Sequence, residues 1–248
     1  MRTTFAFLAM FVAATAALSA ESHADLVVGQ TVGIDFDGST LMTATGFNSF
    51  SEDTNDGASA SIGSLIDTTG AAISAVGTPL TFTLENQTGQ DTTRADFTNQ
   101  GTGGSASGLL TDQDVWDDGY ISNNQGANPL DAGGFFLLTF SGLDDTLEYD
   151  LEGGFDSNNA NFDATWASGG QSFLTTPTGA AGTGYGTLSG LTTDGAGNLA
   201  ITVTRETLHV TIGGLTLTAV ESTAIPEPSS ALALLGLCGV AFIKRRRG

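Results

Sequence analysis

The sequence predicts a single all-β domain, an antiparallel β-sandwich, over residues 25–224. Apolar and polar residues alternate in many short segments of this region, which is typical of half-buried strands. Glycine accounts for 34 of the 248 residues, roughly twice its usual share of about 7%, and this favours many tight turns. Between the two ends of the chain, nothing has the period of a long amphipathic helix.

The alternating segments define the expected strands. The Gly213-Gly214 pair between the last two of them predicts a β-hairpin. Residues 101–108 and 176–190 are poor in apolar side chains and predict loops, whereas residues 61–77 predict a loop or a short helical turn. The strands are expected at residues 32–36, 80–84, 136–140, 147–151, 199–203, 208–212 and 215–219.

The N-terminus has the pattern of a secretory signal peptide. Arg2 precedes an apolar stretch from Phe5 to Leu18, and small residues follow it. We expect a signal peptide of residues 1–24, cleaved between Ala24 and Asp25, with cleavage after Ala20 as the second choice. A retained membrane anchor is the alternative, but the apolar run is short for the roughly 20 residues that a span needs. The protein is therefore expected to be exported.

The C-terminus combines three features in order: a Pro-Glu-Pro triplet, the apolar segment 231–243 and a basic end at residues 244–247. The apolar segment is shorter than the roughly 17–25 residues of an ordinary transmembrane helix. The cations should stay cytoplasmic, which leaves the body of the protein outside. A core helix is the alternative, but it would rarely end in four cations. The triplet is Pro226, Glu227 and Pro228, and the cations are Lys244, Arg245, Arg246 and Arg247.

This tripartite terminus, residues 225–248, resembles the PEP-CTERM sorting signal of Gram-negative bacteria. The resemblance implies that a hydrophobic sorting helix holds the exported protein in the inner membrane. It also implies that an exosortase-type enzyme processes the chain near Pro226, Glu227 and Pro228. Proteins of this kind are associated with exopolysaccharide, so an extracellular polysaccharide is an expected partner.

A second resemblance concerns the body. The stretches "SLIDTTG", "DVWDDGYI", "FLLTFSGLDDTLEYDLEGGFDS" and "IGGLTLTAV" are similar to the jelly-roll pattern of galactose-binding and carbohydrate-binding modules. The resemblance implies a jelly-roll-like sandwich. It also leads us to expect that the first strand, around Val32 to Phe36, lies near the last, around Leu215 to Ala219.

The charge and the cysteine content limit which partners and which disulfides we expect. Residues 25–225 contain every Asp and Glu of the 27 except Glu21 and Glu227, but only Arg94 and Arg205 of the seven basic residues. Nucleic acid and anionic lipid surfaces are therefore not expected partners, because both are bound through Lys and Arg. The single cysteine, Cys238, lies in the apolar C-terminal segment, so the exported domain has no disulfide.

The supply of catalytic residues is small. After signal cleavage, His209 is the remaining histidine, and its neighbours Leu208 and Val210 predict that it faces solvent on a strand. Without cysteine in the domain, a thiol nucleophile and the usual zinc sites are excluded, and no Gly-x-Ser-x-Gly elbow occurs. We expect a protein that is not an enzyme, although a carboxylate pair of a divergent glycosidase or lyase stays open.

Two kinds of binding site are candidates. Acidic Gly-containing loops suit an oxygen-ligated Ca²⁺ ion; the alternative is that they are solvated acidic turns. The strongest candidate loop contains Asp112, Asp114, Asp117 and Asp118. Residues 35–37 and 52–57 are similar acidic segments. Exposed aromatics could stack on a sugar ring, the alternative being that they belong to the core; these are Trp116, Tyr120 and Trp166. Three functions thus stay open: a non-catalytic surface or matrix protein, a carbohydrate-binding module, and a glycosidase or lyase.

Overall fold

A computed structural model of the chain describes residues 26–36, 44–73, 79–89, 91–96, 110, 115, 118–122, 133–155, 162–176, 184–207 and 209–223. The regular structure of these residues is β-sheet. The strands are β1 (Thr31–Asp35), β2 (Asn48–Ser49), β3 (Ser59–Gly63), β4 (Thr81–Gln87), β5 (Thr92–Asp96), β6 (Asp118–Ser122), β7 (Phe135–Ser141), β8 (Glu148–Gly154), β9 (Ala164–Ser168), β10 (Gln171–Thr175), β11 (Tyr185–Leu191), β12 (Asn198–Arg205), β13 (Thr211–Ile212) and β14 (Gly214–Val220).

The strands form two main sheets and one small sheet. One main sheet has the order β11-β8-β14-β1-β2, and the other has the order β10-β9-β12-β7-β4-β3. The small sheet has the order β13-β6-β5. All pairings are antiparallel except the short one between β1 and β2.

The strand order is that of a jelly roll. The four strands β1-β14-β8-β11 belong to one sheet and β7-β12-β9-β10 to the other. Along the chain, β7 lies in one sheet, β8 in the other, β9 and β10 in the first again, β11 in the other and β12 in the first. This alternation between the sheets is the double Greek key of a jelly roll. The fold class is therefore an all-β sandwich, as the sequence predicts.

The core lies between the two main sheets because their strands alternate inward apolar and outward polar residues. In β7 the buried side chains are Phe136, Leu138 and Phe140, and their neighbours are only half-buried. A cluster of rings fills one end of the core, with centroids 5.1 Å apart for Phe82 and Phe140 and 5.6 Å apart for Phe36 and Tyr120. Burial of this apolar surface is the main source of stability in a domain without disulfides.

The two sheets approach each other closely at Gly153 of β8. A Cβ atom built on Gly153 would lie 2.8 Å from Cζ3 of Trp166 in β9 and 3.2 Å from Cβ of Leu215. Trp166 is fully buried and stacks on Phe173 of β10, with ring centroids 5.8 Å apart and planes inclined by 12°. Gly153 therefore makes room for the indole ring between the sheets.

The first and last strands of the body are neighbours. In the register of β1 with β14, Val32 lies opposite Leu217 and Ile34 lies opposite Leu215. This confirms the expectation that the two terminal strands lie together.

The prediction of a hairpin around Gly213 and Gly214 is wrong. β13 pairs with β6, whereas β14 pairs with β1 and β8 in a different sheet. The N–H of Gly213 donates to the carbonyl of Gly154, and its carbonyl accepts from Phe36. The two glycines thus lie where the chain passes from one sheet to another, and a Cβ atom at Gly214 would lie only 2.3 Å from Cγ1 of Val115.

Several strands lie where the sequence predicts loops or no element at all. β11 falls in the expected loop 176–190, and β3 overlaps the start of residues 61–77. β9 and β10 form a two-residue hairpin at Gly169 and Gly170, whose φ angles of 56° and 79° suit the turn that matches strand twist. Residues 101–108 lie outside the described residues.

Candidate functional site

One end of the sandwich receives both ends of the folded chain. β1 begins there and β14 finishes there because the two strands are antiparallel, with Thr31 opposite Thr218. The N–H of Gly29 donates to the carbonyl of Ala219 at 2.8 Å, and the N–H of Ala219 donates to the carbonyl of Gln30 at 3.0 Å. We call this the tail-exit end, because residues 224–248 continue from it.

The carboxylate of Glu148 binds the last described residues at the tail-exit end. Glu148 begins β8 and lies opposite Val220 in the register with β14. Its Oε1 accepts hydrogen bonds from Ser222 Oγ and from the backbone N–H of Thr223, both at 3.0 Å. The Thr223 hydroxyl lies 3.4 Å from Oε1 and 3.3 Å from Oε2. The segment is therefore attached to the sheet two residues beyond the end of β14.

The opposite end of the sandwich, where β14 begins and β8 finishes, carries the small sheet; we call it the distal end. Ile212 of β13 lies opposite Tyr120 of β6, and Gly154 lies opposite Gly214. A second apolar cluster lies at this end and contains Ala44, Phe47, Leu110, Val115 and Tyr185. The distal end is thus built from segments that are far apart in the sequence.

The expected calcium ligands fall largely outside the described residues. Asp112, Asp114 and Asp117 are not described, and Asp118 is described only as the backbone start of β6. Within the described part of the chain, no group of three or more His, Cys, Asp or Glu side chains could hold a metal ion. The calcium site at residues 112–118 therefore stays a prediction.

The other acidic segments stabilise the backbone in the structure. The buried Asp35 accepts a hydrogen bond from the N–H of Ala44 at 2.8 Å, and Asp56 accepts one from the N–H of Gly89 at 2.9 Å. Asp37 lies outside the described residues. These carboxylates thus hold loops in place, Asp35 over nine residues of chain and Asp56 over 33.

Two carboxylates at the tail-exit end have lowered pKa values because they cap turns. Hydrogen bonds from Thr69 at 2.6 Å and Gln30 at 2.9 Å lower the pKa of Asp67 from 3.8 to about 2. Asn198 and the N–H of Ala196 lower the pKa of Asp194 in the same way. Both carboxylates are therefore structural, because a carboxylate that accepts several hydrogen bonds favours its charged form.

Two of the three candidate sugar-binding aromatics belong to the core. Trp166 and Tyr120 are both fully buried. The Tyr120 ring meets Phe36 and Phe50, and its hydroxyl donates to the carbonyl of Glu52. Neither ring is available to stack on a sugar, and the alternative that these aromatics are core residues holds for both. Trp116 lies outside the described residues.

The sequence predicts that His209 faces solvent on a strand, and this prediction is wrong. It precedes β13 and is half-buried, with Nδ1 3.0 Å from the carbonyl oxygen of Ser122 and its ring 5.4 Å from that of Phe162. Near it, burial and the charge of Glu206 raise the pKa of Asp163. The imidazole thus fixes the edge of the small sheet.

Sequence reasoning missed the contact between Glu148 and residues 222–223. Nothing in the sequence signals it, because the partners are 74 and 75 residues apart and all three types are common on surfaces. Only the register of β8 with β14 brings them together.

The fold and its chain ends define a class: an all-β sandwich whose C-terminal segment continues from one end of the domain. Residues 224–247 match the family model described as the PEP-CTERM protein-sorting motif. The chain thus carries a PEP-CTERM sorting motif at its C-terminus. No curated protein matches the chain.

Among solved structures, the chain is similar to a calcium-binding mutant of Bacteroides uniformis beta-glucuronidase 2. The TM-score is 0.30 and the sequence identity is 10%, over 67% of this chain and 28% of that one. This chain thus spans little more than a quarter of the length of that protein.

The sorting motif bears on the location and processing of the protein. It indicates that the protein is exported, that its C-terminus holds it in the membrane before processing, and that an exosortase-type enzyme processes it. Among the described residues, no helix is long and apolar enough to cross a membrane. The expected signal peptide 1–24, the apolar segment 231–243 and the basic end 244–247 lie outside those residues.

Proposed function

We propose that this protein is an exported, non-catalytic component of the cell surface or extracellular matrix that associates with exopolysaccharide. The tail delivers the sandwich, and the distal end presents its loops to the surroundings. The observation that carries the proposal is the polarity of the fold: the tail leaves from one end, and the two described residues of the acidic segment 112–118, Val115 and Asp118, lie at the other.

The polarity follows from the strand register. Glu148 at the start of β8 is at the tail-exit end, and Gly154 at its finish is at the distal end. Seven residues at about 3.3 Å each separate the two ends by roughly 20 Å. Val115, within the acidic segment, lies beside Gly214, and Asp118, which ends the segment, begins β6, so both described residues are distal.

Exposed apolar side chains at the tail-exit end suit a position near the membrane, whereas Leu174, which is 54% exposed, lies towards the opposite end. Two of the exposed large apolar side chains, Val27 at 60% and Val28 at 50%, lie in the turn before β1 at the tail-exit end. Before processing, this end is tethered next to the membrane by the tail. Apolar side chains are tolerated there because the interface offers them a partly apolar environment.

The available chemistry supports a non-catalytic role. The domain has no cysteine and, after signal cleavage, one histidine, whose ring contacts a backbone carbonyl and a phenyl ring. The described carboxylates with lowered pKa values cap turns. A protein that binds or spaces matrix polymers needs none of the nucleophiles or acid–base pairs that hydrolysis requires.

Fractionation of the native host tests the proposal. The wild-type protein should accumulate in the surface or matrix fraction, and enzymes that degrade the extracellular polysaccharide should release it. A variant with Pro226, Glu227 and Pro228 replaced by Ala provides the matched control and should remain in the inner membrane. Persistent inner-membrane location of the wild-type protein, or its full retention after polysaccharide degradation, would contradict the proposal.

Carbohydrate binding by the isolated body is tested separately. Co-sedimentation with purified exopolysaccharide should be weakened by Trp116→Ala if that residue contacts the polymer. The matched control is Phe173→Ala, which removes an aromatic ring that packs against the core. Equal binding by the wild-type protein and Trp116→Ala would remove Trp116 as a sugar contact.

A further inference from the structure

The sorting motif begins immediately after the segment that Glu148 holds. Ser222 and Thr223 are the last described residues, and the motif matches residues 224–247. Glu148 binds this segment through both side-chain hydroxyls and through the N–H of Thr223. Only Ala224 and Ile225 separate the held segment from Pro226.

The covalent geometry limits how far the Pro-Glu-Pro triplet can lie from the folded body. Three residues span at most about 10–11 Å, even when fully extended. A five-stranded sheet with strands about 4.8 Å apart is roughly 20 Å wide, so the body is broad on this scale. An enzyme that binds the triplet therefore meets the tail-exit end of the sandwich.

We propose that Glu148 is a latch on Ser222 and Thr223 that limits processing at the sorting motif. When the latch is closed, the N–H of Thr223 and both hydroxyls are engaged by the body, and the residues before Ala224 cannot enter an extended binding cleft. When it opens, the chain beyond Val220 is released. The free reach to Pro226 then doubles from three residues to six.

The position of Glu148 suits this role. The register of β8 with β14 fixes it opposite Val220, so its carboxylate lies beside the path of the departing chain. The bonds are exposed, and exposed hydrogen bonds to a carboxylate are of modest net strength. The latch therefore opens without unfolding the core. This inference rests on the sorting motif and is independent of the proposed association with polysaccharide.

Pulse–chase labelling of the full chain in cells of the native host, which supply the processing enzyme, tests the latch. Conversion of the precursor to the processed form should be roughly fivefold faster for Glu148→Ala, the scale of one net hydrogen bond of ordinary strength. Glu148→Gln retains one acceptor oxygen and should give an intermediate rate. Glu221→Gln, which removes a charge from the same exposed segment, should process at the wild-type rate.

A second variant distinguishes the latch from general crowding by the body. Six flexible Gly and Ser residues inserted between Thr223 and Ala224 should accelerate processing, and adding Glu148→Ala to the insertion should bring little further gain. An unchanged or slower rate for Glu148→Ala, in a protein that resists proteolysis as the wild type does, overturns the proposal. So does equal acceleration by Glu221→Gln, because the effect would then be one of charge.

Discussion

Replacing Gly153 with Ala tests the account of how the two sheets pack. Gly153 does not have a positive φ, so an alanine is not strained by the backbone. The added methyl group would instead lie 2.8 Å from Cζ3 and 3.0 Å from Cη2 of Trp166. These distances are well inside van der Waals contact, and the fully buried indole, stacked on Phe173, has little room to move.

The expected effect combines two terms of opposite sign. Overpacking of a dense core costs about 1–3 kcal/mol. Replacing glycine lowers the entropy of the unfolded chain and offsets about 0.4–1 kcal/mol of that cost. The net destabilisation should be about 1–2 kcal/mol. For a domain of this size, each kcal/mol lowers the melting temperature by about 2–4 °C, so a decrease of roughly 2–8 °C is expected.

A double-mutant cycle with Trp166→Phe identifies the cause. The smaller ring removes the atoms that clash, so Gly153→Ala should cost at least about 0.5 kcal/mol less in that background. Trp166→Phe also removes an indole N–H that is buried without a hydrogen-bond partner in the described structure, which limits its own cost. Thermal unfolding of the body, followed by circular dichroism, measures all four proteins. Additive effects of the two substitutions would refute the clash.

Three further predictions concern cations, protons and the tail. If residues 112–118 bind Ca²⁺, the ion should stabilise the body by about 2.7 kcal/mol at a hundredfold excess over Kd, whereas NaCl stabilises only by screening; a Ca²⁺ effect in melts no larger than that of NaCl at equal ionic strength excludes a specific site. The lowered pKa of Asp67 means that its carboxylate stabilises the fold above about pH 4, and that this contribution is lost as the pH falls towards 2. Asp67→Asn should thus melt at a lower temperature than the wild type at pH 6, and the difference in melting temperature should be smaller at pH 2. An equal difference at both pH values contradicts the assignment. Replacing Arg245, Arg246 and Arg247 with Ser should impair retention of the tail at the membrane, since these cations follow the apolar segment directly; unchanged membrane association and processing on fractionation would count against that role.

The sequence predicts the strands of this fold best where one face of a strand is buried and the other is not. β4 and β7 alternate strictly in burial, and both were expected from their apolar periodicity. β11 has an irregular burial pattern and a break in register between Leu188 and Leu191, so its sequence lacks that period. β10 has mostly exposed residues, including Leu174. Edge strands of this kind carry little periodic signal.

The candidate site was harder to predict because its parts meet only through tertiary structure. A Gly-Gly pair between two alternating segments is a good local signal for a hairpin, yet at Gly213 and Gly214 the close approach of Val115 and Phe155 determines the path. The burial of Trp166 depends on Gly153, which is 13 positions earlier in the chain and on the other sheet. In contrast, the sorting motif is contiguous, so the sequence alone identified it.

The adjacency of the first and last strands determines when the domain can fold during export. β14 lies between β8 and β1 in its sheet, so this sheet lacks a central strand until residue 220 has crossed the membrane. A chain that crosses from its N-terminus must therefore wait, incomplete, for nearly its whole length, and such long-range pairing is slow to form. The apolar segment begins only eleven residues after β14 ends. The last strand that the sheet needs and the apolar segment thus follow one another closely along the chain.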